Sequence, residues 1–139
     1  MKVDLNYPIV LFRKNDNMIY VFFNDKDFKS TNEELLKKID HKDLEVIDSS
    51  GLKYKIDRAY KVKYLGLWGF SLLLKGRQIL IDYDFNTIVE QLSLENFKAE
   101  IIKRLEKKKG FWSSAWSLKE LKQVIANCSS FAEIMSLLK

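Results

Sequence analysis

The polar and apolar positions of this chain change rhythm part-way along. In the first half the apolar residues come in short runs with period two or without interruption. Ile9 to Arg13 and Met18 to Phe23 are rich in β-branched and aromatic residues. The turn-forming string Lys14-Asn15-Asp16-Asn17 separates them, which predicts a β-hairpin. Leu44 to Ile47 predicts a short strand, and Asp48-Ser49-Ser50-Gly51 a turn. From residue 52 to 65 the alternation is strict. Tyr54, Ile56, Tyr60, Val62 and Tyr64 take even positions, while Lys53, Lys55, Lys61 and Lys63 take odd ones. Side chains alternate across a strand, so this pattern predicts one apolar face and one lysine face. The four lysines project together if the register holds across Asp57 to Ala59. Phe70 to Leu74 and Ile79 to Tyr83, joined by Lys75-Gly76-Arg77-Gln78, read as a second hairpin of strands covered on both faces.

Helical periodicity is expected in two places. Ser30 with Glu33 and Thr31 with Glu34 form overlapping capping boxes, followed by Leu35, Leu36 and Ile39 on one stripe. This predicts a helix from Ser30 to about Asp40. From about Thr87 onward the period is 3.6. Leu94, Phe97, Ile101, Ile102 and Leu105 make one stripe, ending in Lys107-Lys108-Lys109-Gly110. Cations in a last turn followed by glycine are a helix stop. Ser117 with Glu120, and Ser130 with Glu133, open two further helices. Strands first and helices last predict an α+β fold over a single domain, residues 1–139. The expected architecture is an antiparallel β-sheet of about six strands, with one helix in the N-terminal half and the C-terminal helices packed on it.

Composition supports a folded chain: 47 % of the 139 residues are apolar, far above what disordered chains carry. A single cysteine, Cys128, leaves no internal disulfide, and with one histidine, His41, it argues against a zinc site. The N-terminal MKVDLNYPIVLF lacks the pattern of a signal peptide, and no apolar run approaches the ~20 residues of a membrane span. These features place the expected protein in the cytoplasm.

Charge adds a further contrast. The formal net charge is +5, and two segments concentrate it. Lys53 to Lys63 and Lys103 to Lys109 each hold five basic residues and one acid, so the rest of the chain is slightly acidic.

Chemistry-bearing residues are sparse. Cys128 lies on the apolar stripe of its helix, which favours burial over nucleophilic pairing with His41. Asp25 with Asp27, and Asp82 with Asp84, are carboxylates at i and i+2 that can face the same way. Such pairs hold hard cations or move protons, but they also serve turns and helix caps, the favoured reading here. No phosphate loop or cofactor fingerprint occurs, so no catalytic residue, metal or cofactor is expected. The lysine face reads in two ways: protection of an edge strand, or a binding face for an acidic partner or a phosphate backbone. Trp112 and Trp116, after three consecutive lysines, either close the core or anchor a protein interface. The second helix of the final pair, Phe131 to Leu138, lacks the Arg, Asn or Gln that reads base edges, which argues against a helix-turn-helix DNA reader.

In size, α+β pattern and want of a catalytic set, the whole chain resembles the immunity proteins of bacterial polymorphic and contact-dependent toxin systems. That resemblance implies a small non-catalytic domain that binds and neutralises a cognate toxin. Many such proteins are acidic, whereas this chain is basic, so its partner would present an acidic surface, or the acidic remainder of the chain would form the contact face. The expected partner-binding residues are Lys53, Lys55, Lys61, Lys63, Trp112 and Trp116. The alternative is a nucleic-acid-binding accessory domain using the Lys53 to Lys63 face.

Overall fold

A computed structural model describes residues 4–13, 17–32, 44–64, 78–108 and 117–138. Six strands form one antiparallel sheet in the order β2-β1-β4-β5-β6-β3. They are β1 (Ile9–Arg13), β2 (Tyr20–Phe22), β3 (Ser30–Asn32), β4 (Leu44–Ile47), β5 (Leu52–Tyr64) and β6 (Gln78–Gln91). A single turn of helix, α1 (Asp25–Phe28), lies between β2 and β3. Three helices end the chain: α2 (Leu94–Lys107), α3 (Leu118–Asn127) and α4 (Phe131–Leu137). The α+β expectation is met. Among the described residues no helix is long and apolar enough to cross a membrane.

The first hairpin forms where its β-branched runs predict, with Ile9, Val10 and Leu11 opposite Phe22, Val21 and Tyr20. β1 then pairs with β4, which makes it an interior strand, buried on both faces. Val10, Phe12 and Ile47 point into a core completed by Phe97, Ile101 and Leu105 of α2, Leu121 and Ile125 of α3, and Ile134 and Met135 of α4. Ile9, Val46, Tyr54, Ile56 and Phe85 point to the other face, where they pack with Phe28 of α1. Removing a large side chain such as Phe97, which is fully buried, costs about 3–5 kcal/mol.

Two helix boundaries differ from the sequence expectation. Ser30–Asn32 is a strand rather than a helix start, lying opposite Leu80, Ile79 and Gln78. The helical turn sits upstream, where the Asn24 side chain accepts a hydrogen bond from the Asp27 amide at 2.8 Å. The capping-box signal is local, whereas β6 offers a whole ladder of backbone partners to Ser30–Asn32, and the ladder wins. Residues 33–40 of the expected helix lie outside the described residues. The second difference is β6, which continues through Thr87 to Gln91 before α2 begins. Thr87, Ile88 and Val89 are β-branched, and Ile88 aligns with Tyr54 across the sheet. Ser93 then caps α2 by accepting from the Asn96 amide at 3.1 Å.

The expected turn at residues 48–51 is built around a buried carboxylate. Asp48 accepts from the Ser50 amide at 2.9 Å and the Leu52 amide at 3.2 Å, and its other oxygen takes the Asn6 amide at 3.3 Å. Gly51 closes this turn at φ +81, and a Cβ there would stand 2.6 Å from the Phe131 ring and 2.9 Å from the Leu92 carbonyl oxygen. Both backbone conformation and space therefore demand glycine.

The C-terminal caps form unevenly. Ser130 accepts from the Glu133 amide at 3.2 Å, while the Glu133 carboxylate reaches one residue further back, to the amide and hydroxyl of Ser129. Ser117 precedes α3 without a side-chain cap bond. The stop at Gly110 and the arm Phe70 to Leu74 of the second hairpin lie outside the described residues; its other arm is the start of β6.

Candidate binding surfaces

The lysine-bearing strand β5 is flanked by β6 along its length but by β4 only along Lys53–Lys55, so Lys53 and Lys55 stand away from an edge, while beyond Lys55 no β4 residue pairs with it among the described residues. Two of its charges, Lys53 and Arg58, are partnered. The Lys53 ammonium stands 2.8 Å from Glu45 of β4, which is diagonal to it across the sheet, and 3.2 Å from Glu90 of β6, which is directly opposite. Burial works against the Lys53 charge, but the hydrogen bonds and fields of the two carboxylates outweigh it and leave the pKa raised. Lys55 is exposed, aligned with Glu45.

The alternation does not carry through Asp57. Tyr54 and Ile56 are buried in the second core, but a register shift follows Ile56. Arg58 then aligns with Asp84 and forms an ion pair with it, and its guanidinium lies 5.1 Å from the Tyr60 ring. Even positions thus change faces at the bulge. Lys61 aligns with Ile81 and Lys63 with Leu80, with another shift between them, so the backbone does not support one continuous row of four lysines. The side chains of Lys61 and Lys63 lie outside those described.

The second basic segment behaves differently. α2 is anchored by Phe97, Ile101 and Leu105, all fully buried. Its polar face carries Arg104, which pairs with Glu100 at 2.9 Å and lies 3.9 Å from the Phe12 ring centre. Glu106 pairs with Lys122 of α3, fastening the two helices. Lys103, Lys107 and Lys108 are exposed, and among the described residues none of them meets a carboxylate. They form a basic ridge on a rigid support. Lys109 continues that run in sequence and, with Trp112, Trp116 and His41, lies outside the described residues.

The two aspartate pairs meet in an unexpected way. Asp25 of α1 and Asp82 of β6, one from each pair, are bridged by the Lys29 ammonium at 3.3 and 3.2 Å. The Tyr7 hydroxyl donates to Asp25 at 2.5 Å. Burial, then this bond, raises the Tyr7 pKa, and the same bond holds the Asp25 carboxyl below its usual range. Lys29 is raised as well, because its bonds to Asp82 and Asp25 overcome its desolvation. A phenol and an ammonium that both hold their protons clamp α1 to the sheet; neither acts as base or nucleophile near neutral pH. The remaining members, Asp27 and Asp84, bond Asn24 and Arg58. Among the described residues no cluster of three metal-ligating side chains forms.

Cys128 is buried, as its position on the stripe predicts, and its thiol donates to the Val124 carbonyl at 3.3 Å. Desolvation, reinforced by Glu133, raises its pKa, which keeps it a thiol. A charge that sequence reading passed over is Lys98. It is 8 % exposed, and its ammonium donates to the Ala126 carbonyl at 2.9 Å, at the C-terminal end of α3.

A cleft of about 360 Å³ opens between the sheet and α2. Glu45, Lys53 and Glu90 form its sheet wall, Asn96, Glu100, Lys103 and Arg104 its helix wall, and Phe12, Ile47 and Leu92 its apolar lining. Periodicity alone could not show it, because Glu45 and Lys53 of the sheet wall lie about 50 positions before the helix wall in sequence.

No family model, curated protein or solved structure matches this chain.

Proposed function

We propose that this chain is a non-catalytic protein-binding domain that neutralises a bacterial toxin by covering it, in the manner of immunity proteins. The observation that supports this reading is the ridge of Lys103, Lys107 and Lys108, exposed and without carboxylate partners among the described residues. Buried Phe97, Ile101 and Leu105 hold that helix in place, so little ordering entropy opposes docking. An acidic protein surface is the complementary partner, steered to the ridge by its charge. Trp112 and Trp116 follow the ridge in sequence and would supply the apolar anchors of the same contact.

The test is co-expression in a bacterial host with the product of the neighbouring gene. Restored growth with the wild-type chain, lost in the Lys103→Glu/Lys107→Glu/Lys108→Glu variant at unchanged melting temperature, is the expected result. Equal protection by the variant would remove the ridge from the proposal. Duplex DNA bound with a salt slope near −3 in place of any protein would favour the nucleic-acid reading, at about −0.9 per phosphate neutralised.

A further inference from the structure

The cleft between the sheet and α2 has walls of opposite charge. On the sheet wall Glu45 and Glu90 share the single cation Lys53, leaving one net negative charge. On the helix wall Lys103 and Arg104 face the single carboxylate Glu100, leaving one net positive charge. Between them half-buried Leu92 supplies apolar surface, above the buried Phe12 and Ile47. A simple anion would meet Glu45 and Glu90, and a simple cation would meet Lys103 and Arg104. A molecule carrying both charges is matched on both sides.

We propose that this cleft binds a small zwitterion of the aliphatic α-amino-acid class. Its ammonium faces Glu90 and Glu45, its carboxylate faces Lys103, and its aliphatic side chain lies on Leu92. The Asn96 side chain, exposed and without a hydrogen-bond partner among the described residues, adds an amide donor on the carboxylate side. The volume of about 360 Å³ is at the small end of ligand pockets, which run from about 300 to 1,000 Å³, and so suits a single amino acid. The site does not rest on the protein-binding reading above, and its test needs no protein partner.

The experiment is a titration of the full chain, followed by amide NMR shifts, with L-leucine, with 4-methylpentanoate, which lacks the ammonium, and with isopentylamine, which lacks the carboxylate. Leucine is expected to give saturable shifts at Glu90, Asn96, Glu100 and Lys103, with each half-molecule at least about tenfold weaker, the loss of roughly 1.4 kcal/mol of binding. Glu90→Gln and Lys103→Met should each weaken leucine about fivefold or more while leaving shifts elsewhere unchanged. Half-molecules that bind as well as leucine, shifts that map to another surface, or no saturable shift up to about 20 mM leucine would each overturn the proposal.

Discussion

Two segments of this chain carry the same charge in sequence but differ in what stands beside their cations. Lys53 to Lys63 and Lys103 to Lys109 each hold five basic residues and one acid. In the strand, Lys53 is held by Glu45 and Glu90, and Arg58 by Asp84. In the helix, Arg104 is tied down while Lys103, Lys107 and Lys108 remain exposed without carboxylates among the described residues. The cause is geometric. An interior strand has a neighbour on each side about 5 Å away, and register decides which side chains stand there. The exposed face of a surface helix meets only its own neighbours three and four positions away. A count of lysines therefore says little about surface charge until the flanking elements are known.

The strongest way to break the comparison is Lys53→Glu, which sets three carboxylates together in a half-buried position. We expect a loss of roughly 2 kcal/mol, discounted from the buried-pair range because the site is partly exposed. Urea denaturation measures it, and the Lys103→Glu/Lys107→Glu/Lys108→Glu variant should lose under about 1 kcal/mol in the same assay. Comparable losses in both would mean that the two patches are energetically alike.

Next in size is the alkaline limb of stability. Lys53 and Lys29 have raised pKa values, so the stability they add is complete below their unfolded values near pH 10.4 and fades as pH climbs through the higher folded ones. Tyr7 and Tyr83, also raised, work in the same direction, since the native state keeps protons that the unfolded chain gives up. Melting temperature should fall above about pH 10, and less steeply in Lys53→Met than in the wild type. An identical slope for the two proteins would deny the strand lysine its role.

Tyr7→Phe sharpens the picture at the sheet's other side. It deletes the hydrogen bond to Asp25 and should cost about 1 kcal/mol by chemical denaturation. The smallest effect belongs to Arg58→Ala. The pair with Asp84 is largely exposed on the arginine side, so no resolvable shift of the denaturation midpoint is expected. A resolvable loss would show that the bulge depends on that pair.

The sequence was most legible where a signal is short-ranged. The hairpin of Ile9–Arg13 and Tyr20–Phe22, the turn closed by Gly51, the stripe Phe97-Ile101-Leu105 and the buried thiol of Cys128 all follow from neighbours within a few positions. Propensity, turn chemistry and helical period act at that range. The same locality misleads at Ser30–Asn32, where a sound capping box is overruled by a strand almost 50 residues away. It misleads again at Asp57, where strict alternation in sequence hides a bulge that turns Arg58 and Tyr60 to the other face.

By itself, then, the sequence determined the α+β class, the antiparallel sheet and the apolar faces of its terminal helices, because burial and backbone geometry leave their period in the chain. Only the tertiary structure decided that β4 flanks β5 at Lys53–Lys55 and that Glu45 and Glu90 share Lys53. The same holds for Lys29, which joins aspartates from two separate pairs, and for Lys103, which borders a cleft of opposed charge. Each of those facts depends on strand order and register, and these are set by cooperative pairing across the whole sheet rather than by any local run of residues.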